Sequence, residues 1–118
     1  MPKIVSVSGI TLRVTSMARS LRFYRDTLGM KLLYGDVNAT FCSFDVNGTY
    51  LNLELAVHPD TNWGRIIFYC DDVDEMYEHL KSNGYESPVP KDAPWGERFF
   101  HIKDPDGHEL SMSRRLKA

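Results

Sequence analysis

Apolar and polar residues follow two different periods along this chain. A period of two, as in Ile10, Leu12 and Val14, predicts a strand with one buried face. Apolar residues spaced three or four positions apart predict a helix that is buried along one side. The first period predicts strands at 4–14, 31–35, 40–46, 49–57, 65–70, 86–89, 97–103 and 108–114, and the second predicts helices at 16–28 and 72–83. The prolines at 88 and 90 restrict 86–89 to an edge strand that passes into a loop.

The order of these elements repeats within the chain. An apolar strand, a polar pair suited to a helix N-cap and an amphipathic stretch ending on glycine occur at 10–29 and again at 66–84. Matching turns then precede a strand in both copies, Asp-Val-Asn-Gly at 45–48 and Asp-Pro-Asp-Gly at 104–107. The repeat predicts an α+β fold of two tandem modules, about 4–58 and about 63–114, within a single domain covering 1–118.

Composition narrows the classes of function. A net charge of -2 provides no general attraction for nucleic acid or for an acidic membrane. No apolar stretch approaches the ~20 residues of a membrane helix, and the first residues lack the apolar core of a signal peptide. Cys42 and Cys70 are far apart and sit in apolar runs, as reduced buried thiols do. We therefore expect a cytoplasmic protein with no nucleic-acid or membrane partner.

The second face of the predicted strands is a candidate binding surface. It combines small, polar and charged residues with aromatic ones, which is typical of a ligand cleft, although a solvated sheet face is the alternative. The candidate ligand-binding residues on or near this face are Arg65, Glu54, Asn52, Tyr69, Trp63, Trp95, Ser111 and Arg13.

Two segments resemble a known family. Residues 20–30, SLRFYRDTLGM, resemble the S-x-x-F-Y-x-x-x-L-G-M signature of the vicinal oxygen chelate superfamily, which includes glyoxalase I, extradiol dioxygenases, and fosfomycin- and bleomycin-resistance proteins. Residues 95–100, WGERFF, followed by DPDGHEL at 104–110, resemble the same superfamily, and the W-G-x-R element is most similar to the bleomycin-resistance branch. The resemblance implies paired βαβββ modules that form a curved mixed sheet around a central cavity, in a homodimer.

The resemblance also implies where a metal would bind in catalytic members. The metal ligands come from the first and last strands of each module, and these positions fall here at Gly9, Arg65 and Ser111. The fourth position falls at Asn52, or at Glu54 if the register shifts by one strand period. Divalent catalytic sites need imidazole, carboxylate or thiolate donors, and arginine has no lone pair to offer. We therefore expect no metal and no other cofactor.

Without a metal, Arg65 has two interpretations. It forms a structural ion pair with Glu54, or it presents a fork of donors to a carboxylate, phosphate or oxyanion of a ligand. Arg13 is a second candidate of this kind. Aromatic side chains at 63, 69 and 95 could stack on a flat or cationic ligand, although Trp95 could equally pack its own loop. Glu97 and Arg98 are interpreted as surface charge.

Three functions remain open from the sequence. The first, favoured by the missing metal ligands, is a metal-free small-molecule binding protein resembling the bleomycin-resistance group, with a role in antibiotic resistance implied by that group. The second is a metal-dependent lyase, isomerase or dioxygenase with metal ligands elsewhere. The third is a metal-free enzyme that uses Glu54, His101 or Tyr69 as acid or base.

Overall fold

The computed structural model describes residues 1–116, and the chain divides into two compact units after Asp60. We call the first unit module one and the second, from Thr61 onward, module two. Each module contains one helical segment after its first strand and then three more strands. The α+β class and the two βαβββ modules predicted from the internal repeat are therefore confirmed. The prediction that the chain forms a single domain stays a prediction.

Module one is a four-stranded mixed sheet with a helical segment on one face. Its strand order is β1-β4-β3-β2, with β1 parallel to β4 and the other pairs antiparallel. Tyr24 of the helical segment is fully buried and packs against Phe44, with ring centroids 6.2 Å apart. The elements are β1 (Gly9–Val14), α1 (Met17–Leu21), a π-helical continuation of α1 (Arg22–Thr27), β2 (Lys31–Tyr34), β3 (Phe41–Val46) and β4 (Thr49–Leu55).

Module two repeats this arrangement. Its strand order is β5-β8-β7-β6, with β5 parallel to β8. Val73 and Leu80 of its helix are fully buried, and Tyr77 packs edge-on against Phe100 of the sheet at 5.7 Å. The elements are β5 (Arg65–Tyr69), α2 (Val73–Ser82), β6 (Lys91–Asp92), β7 (Glu97–Lys103) and β8 (Glu109–Arg115).

The helices begin at the polar side chains and end near the glycine that the sequence indicated. Ser16 accepts a hydrogen bond from the backbone N–H of Arg19 at 3.3 Å, and Asp72 accepts one from Glu75 at 3.0 Å. Both side chains satisfy an N–H group that lacks a partner within its helix. Gly84, which follows the C-cap of α2, has a φ of 90°, a conformation that glycine adopts without steric cost.

Two predicted strands differ from those observed. The strand predicted at 4–14 begins only at Gly9, which pairs with Tyr50 near the start of β4, and the last backbone bond of this pair is the one that the Ser8 carbonyl accepts from the Tyr50 N–H at 2.8 Å. The strand predicted at 86–89 is wrong, and the edge strand of module two is the short β6 at Lys91–Asp92. Prolines cannot donate the ladder hydrogen bonds that a strand at 86–89 would need.

Within residues 1–116, no helix combines the length and the apolar character needed to cross a membrane. Cys42 is buried, Cys70 is partly buried, and both are free thiols.

Candidate functional site

Module two presents an open sheet face on the side opposite α2. Its strands alternate, so Leu110 and Met112 are buried in the core while Ser111, between them, faces the other way. The register places Ser111 between Ile67 of β5 and His101 of β7. Residues from three strands therefore meet on this face: Arg65, Ile67, Tyr69, Glu97, Phe99, His101, Glu109, Ser111 and Ser113.

Two adjoining cavities open on this face. The first has a volume of about 230 Å³ and is lined by Arg65, Ile67, Trp95, Glu97, Phe99, His101, Ser111 and Ser113. The second has a volume of about 330 Å³ and is lined by Arg65, Glu86, Pro88, His101, Ile102, Lys103 and Glu109. Arg65 and His101 line both cavities, so they form the boundary between them. We refer to the first of these as the aromatic cavity.

Arg65 is the centre of a polar cluster at this boundary. Its Nη2 donates to Oε1 of Glu109 at 3.0 Å, and its Nη1 donates to the hydroxyl of Ser111 at 3.3 Å. The same Nη1 lies against the His101 ring, 2.8 Å from Nε2. The ion-pair partner of Arg65 within module two is therefore Glu109, and the ion pair with Glu54 of module one stays a prediction. Ser111, a second predicted site residue, lies beside Arg65, and the ligand contacts of both stay a prediction.

His101 completes this cluster. Its Nδ1 lies 2.7 Å from the hydroxyl oxygen of Ser111. Partial burial lowers the pKa of His101, and the positive charge of Arg65 lowers it further. The lowered pKa favours the neutral ring, and a neutral ring allows a guanidinium group to rest against it.

An aromatic cluster forms the other end of the aromatic cavity. The rings of Trp95 and Phe99 are stacked, with centroids 5.6 Å apart and planes 27° from parallel. The indole N–H of Trp95 donates to Oε1 of Glu97 at 2.9 Å, and the Tyr69 hydroxyl donates to Oε2 of the same carboxylate. These two hydrogen bonds lower the pKa of Glu97, with a smaller contribution from the charge of Arg115. Glu97, interpreted from the sequence as surface charge, thus joins two predicted site residues.

Trp63 has a different environment. Its indole N–H donates to Nδ1 of His108 at 2.9 Å, and His108 is almost fully buried. Trp63 is absent from the lining of the two cavities described above. This contact explains Trp63 as a packing residue of module two, and its predicted ligand contact stays a prediction.

Comparison with known proteins places this architecture in a family. The family model described as "Glyoxalase/Bleomycin resistance protein/Dioxygenase superfamily" matches residues 6–112. The chain belongs to this superfamily. A structure of a superfamily member from Sphaerobacter thermophilus is 28% identical, with a TM-score of 0.76, and the match covers 93% of this chain and 97% of that one.

Two further proteins are similar to this chain, one in fold and one in part of its sequence. A lactoylglutathione lyase from Agrobacterium tumefaciens shares the fold with a TM-score of 0.78 at 20% identity, over 94% of each chain. A bleomycin resistance protein from Geobacillus stearothermophilus is 38% identical over 48 residues, which is 39% of this chain and 36% of that protein. Because this match spans about a third of that protein, it establishes relatedness without assigning its activity to this chain.

The predicted site residues of module one lie on the equivalent face of its own sheet. Asn52 accepts a hydrogen bond from the Ser43 hydroxyl at 2.7 Å and donates to Thr11 at 3.2 Å. Oε1 of Glu54 lies 3.7 Å from Nε of Arg13, and Nη1 of Arg13 lies 2.9 Å from Oδ2 of Asp60. Asn52 pairs across to β1 as Ser111 pairs across to β5, so Asn52 is the module-one counterpart of Ser111.

The residues at the superfamily's metal-ligand positions do not fit a divalent ion. Gly9 offers no side chain, and even a Cβ there would come within 3.1 Å of the Tyr50 carbonyl oxygen. The guanidinium of Arg65 is a cation, and the amide of Asn52 is already bonded on both sides. Among residues 1–116, no three histidine, cysteine or acidic side chains are grouped closely enough to hold a metal.

The candidate site includes residues that the sequence alone did not single out. Glu109 and Phe99 were not among the candidates, and Glu97 was assigned to the surface. The alternation of residues in β7 predicts that Glu97, Phe99 and His101 share one face of the sheet. Which residues of β5 and β8 they contact depends on the strand register, which the sequence does not show.

Proposed function

We propose that this protein is a metal-independent small-molecule binding protein of the glyoxalase/bleomycin-resistance type. It holds its ligand on the open face of module two, in a homodimer in the cytoplasm. The observation that carries the proposal is the aromatic cavity, in which the donors of Arg65 and the stacked rings of Trp95 and Phe99 line one space. A few polar groups in an otherwise apolar cavity provide affinity and orientation.

The donor set favours binding over metal-assisted chemistry. The four positions that would hold a metal carry glycine, arginine, serine and asparagine. A guanidinium at one of these positions repels a divalent cation and attracts the anionic groups that a metal would otherwise hold. Free thiols at Cys42 and Cys70 are consistent with a reducing compartment.

Arg65 defines the chemical class of the ligand. Its side chain is 28% exposed, so the charge is partly desolvated and still reachable. An anionic ligand that carries an aromatic ring would pair with the guanidinium while its ring contacts Phe99 and Ile67 in the same cavity.

Benzoate is the simplest probe of this proposal. We expect Arg65→Ala to weaken benzoate binding by ~1.5–3 kcal/mol, roughly 10- to 150-fold, the range for a hydrogen bond to a charged group. Arg22→Ala is the matched control, because Arg22 is an exposed arginine on the helical segment of module one. Calorimetric titration of the folded variants measures both affinities. Equal affinity of the Arg65→Ala and Arg22→Ala proteins for benzoate would exclude Arg65 from the site.

Metal independence and assembly have their own tests. Protein purified without added metal should contain no stoichiometric divalent ion by elemental analysis, and chelators should leave benzoate binding unchanged. Light scattering should give twice the 13.6 kDa mass of one chain. A tightly held divalent ion, or a monomer at the concentration of the binding experiment, would contradict the corresponding part of the proposal.

A metal-free enzyme is the second candidate, favoured by the 2.7 Å contact between neutral His101 and Ser111. In that case, a substrate found by metabolite screening would be turned over in the presence of chelators. Substitution His101→Gln would abolish that turnover in a protein that is still folded.

A further inference from the structure

We infer that the Glu97 end of the aromatic cavity binds a positively charged group of the ligand. The ligand would then be an elongated organic molecule, with an ammonium-type cation at one end and an anionic group at the other. This inference rests on the proposed function, since it assigns the second end of the same cavity.

The environment of Glu97 supports a cation at this position. The donors with the largest effect on the carboxylate, the hydroxyl of Tyr69 and the indole of Trp95, are neutral groups. They favour the ionised carboxylate without neutralising it, and the cation nearby, Arg115, has a smaller effect and lies over the Tyr69 ring. Each carboxylate oxygen can accept more than one hydrogen bond, so both remain able to accept from an ammonium group.

The neighbouring rings already attract cations of the protein itself. The Lys91 ammonium lies over the Phe99 ring at 5.5 Å, and the Arg115 guanidinium lies over the Tyr69 ring at 5.7 Å. Trp95 is the largest ring of the cluster, and it is 67% exposed. A tryptophan face next to a carboxylate is the most favourable aromatic surface for an ammonium group.

The strand geometry sets the distance between the two ends. Glu97 and His101 lie four positions apart on the same face of β7, and His101 contacts Arg65. A strand rises ~3.3 Å per residue, so the two ends lie about 13 Å apart along β7. The stacked Phe99 occupies the middle of this span. A small ion cannot reach both ends, whereas a molecule with a flat central part and opposite charges at its ends can.

Benzyltrimethylammonium is the probe for the Glu97 end. The chain has two tryptophans, so ¹⁵N-labelled protein gives two indole N–H signals in the NMR spectrum. The Trp95 indole bonds to Glu97, and the Trp63 indole bonds to His108. We expect the probe to shift the Trp95 signal and leave the Trp63 signal in place, which makes Trp63 an internal control. Benzyl alcohol, an uncharged analogue, should bind at least five-fold more weakly.

Substitution of the carboxylate tests its charge. We expect Glu97→Gln to weaken benzyltrimethylammonium binding by about five-fold or more, which corresponds to about 1 kcal/mol. Glu78→Gln removes the same charge from an exposed position on α2 and should change affinity by less than about two-fold. Tyr69→Phe keeps the aromatic ring and the Glu97 carboxylate, so it should retain most of the affinity. It separates loss of the charge from disturbance of the local structure, should Glu97→Gln perturb the fold. Equal losses in Glu97→Gln and Glu78→Gln would overturn the inference.

The two probes together separate this inference from the proposed function. Benzoate affinity should be unchanged, within about two-fold, when the protein is saturated with benzyltrimethylammonium, because the two ends lie about 13 Å apart. Competition between the probes would place them at one position and refute a two-ended site. Benzoate binding that depends on Arg65, without any binding of the cation, would refute the inference and leave the proposed function standing. Failure of both probes would refute both.

Discussion

In the proposed site, Glu109 competes with an anionic ligand for Arg65, and this predicts a gain of affinity when the charge of Glu109 is removed. The carboxylate accepts a hydrogen bond from Nη2 of Arg65 at 3.0 Å. Arg65 is also held through Nη1 by Ser111 and His101, so its position does not depend on Glu109 alone. Glutamine at 109 can still accept the Nη2 hydrogen bond, while the negative charge that opposes an anionic ligand is gone.

The structure sets the expected magnitude. The side chains of Arg65 and Glu109 are 28% and 46% exposed, so their ion pair is screened by solvent. Such a pair contributes about 0.2–1 kcal/mol. We therefore expect Glu109→Gln to strengthen benzoate binding by about 1.4- to 5-fold, in the direction opposite to Arg65→Ala. The gain should shrink as ionic strength rises, because salt screens an exposed pair.

Calorimetric titration of four proteins measures this effect. The wild type, Glu109→Gln, Arg65→Ala and the double variant form a cycle, and Glu78→Gln controls for the change in net charge. In the Arg65→Ala background, Glu109→Gln should have no more effect than Glu78→Gln. Weaker benzoate binding by Glu109→Gln would show that the carboxylate positions Arg65, and it would refute the argument that the carboxylate competes with the ligand.

Two further predictions follow from the structure. Benzoate should bind more tightly as the pH falls from about 7.5 to about 5.5, and His101→Gln should remove this dependence. The pKa of His101 is lowered in the free protein, and an anion beside Arg65 would raise it, so anion binding takes up a proton and gains affinity towards low pH. An unchanged or opposite pH profile in a folded protein would refute the coupling. Separately, Leu80→Ala should reduce the free energy of unfolding by about 2–5 kcal/mol, because Leu80 is fully buried on the inner side of α2. Leu33→Ala is the control, and it should lower the free energy of unfolding much less because Leu33 is 49% exposed. Equal losses of unfolding free energy in the two variants, measured with denaturant, would contradict the assignment of Leu80 to the core.

The sequence predicted the modules and the face of each strand. The period of two in β8 separates Leu110 and Met112 from Ser111, and the structure buries the first two in the core. The polar residues Ser16 and Asp72 predicted the starts of the helices, because their side chains accept hydrogen bonds from the first turn. These features depend only on residues that are close together in the chain, so the local sequence pattern is enough to predict them.

Strand ends were harder to predict for a physical reason. Residues 4–8 have the composition of a strand, but a strand exists only where a partner supplies hydrogen bonds. Pairing of β1 with β4 begins at Gly9 and Tyr50, so the segment before Gly9 is exposed and without strand structure. The sequence of residues 4–8 does not show where β4 begins, so the start of β1 could not be predicted from it.

The identity of each side chain's partner was decided by tertiary structure. The sequence placed Arg65 on the open face, and the register of β5 against β8 is what brings Glu109 of module two to it. Likewise, the pairing of β7 with β8 brings His101 to Ser111, and the pairing of β5 and β7 with the same strand, β8, brings Tyr69 to Glu97. Alternation determines which way a side chain points, but the neighbours it meets depend on how turns and core packing align strands that are distant in sequence.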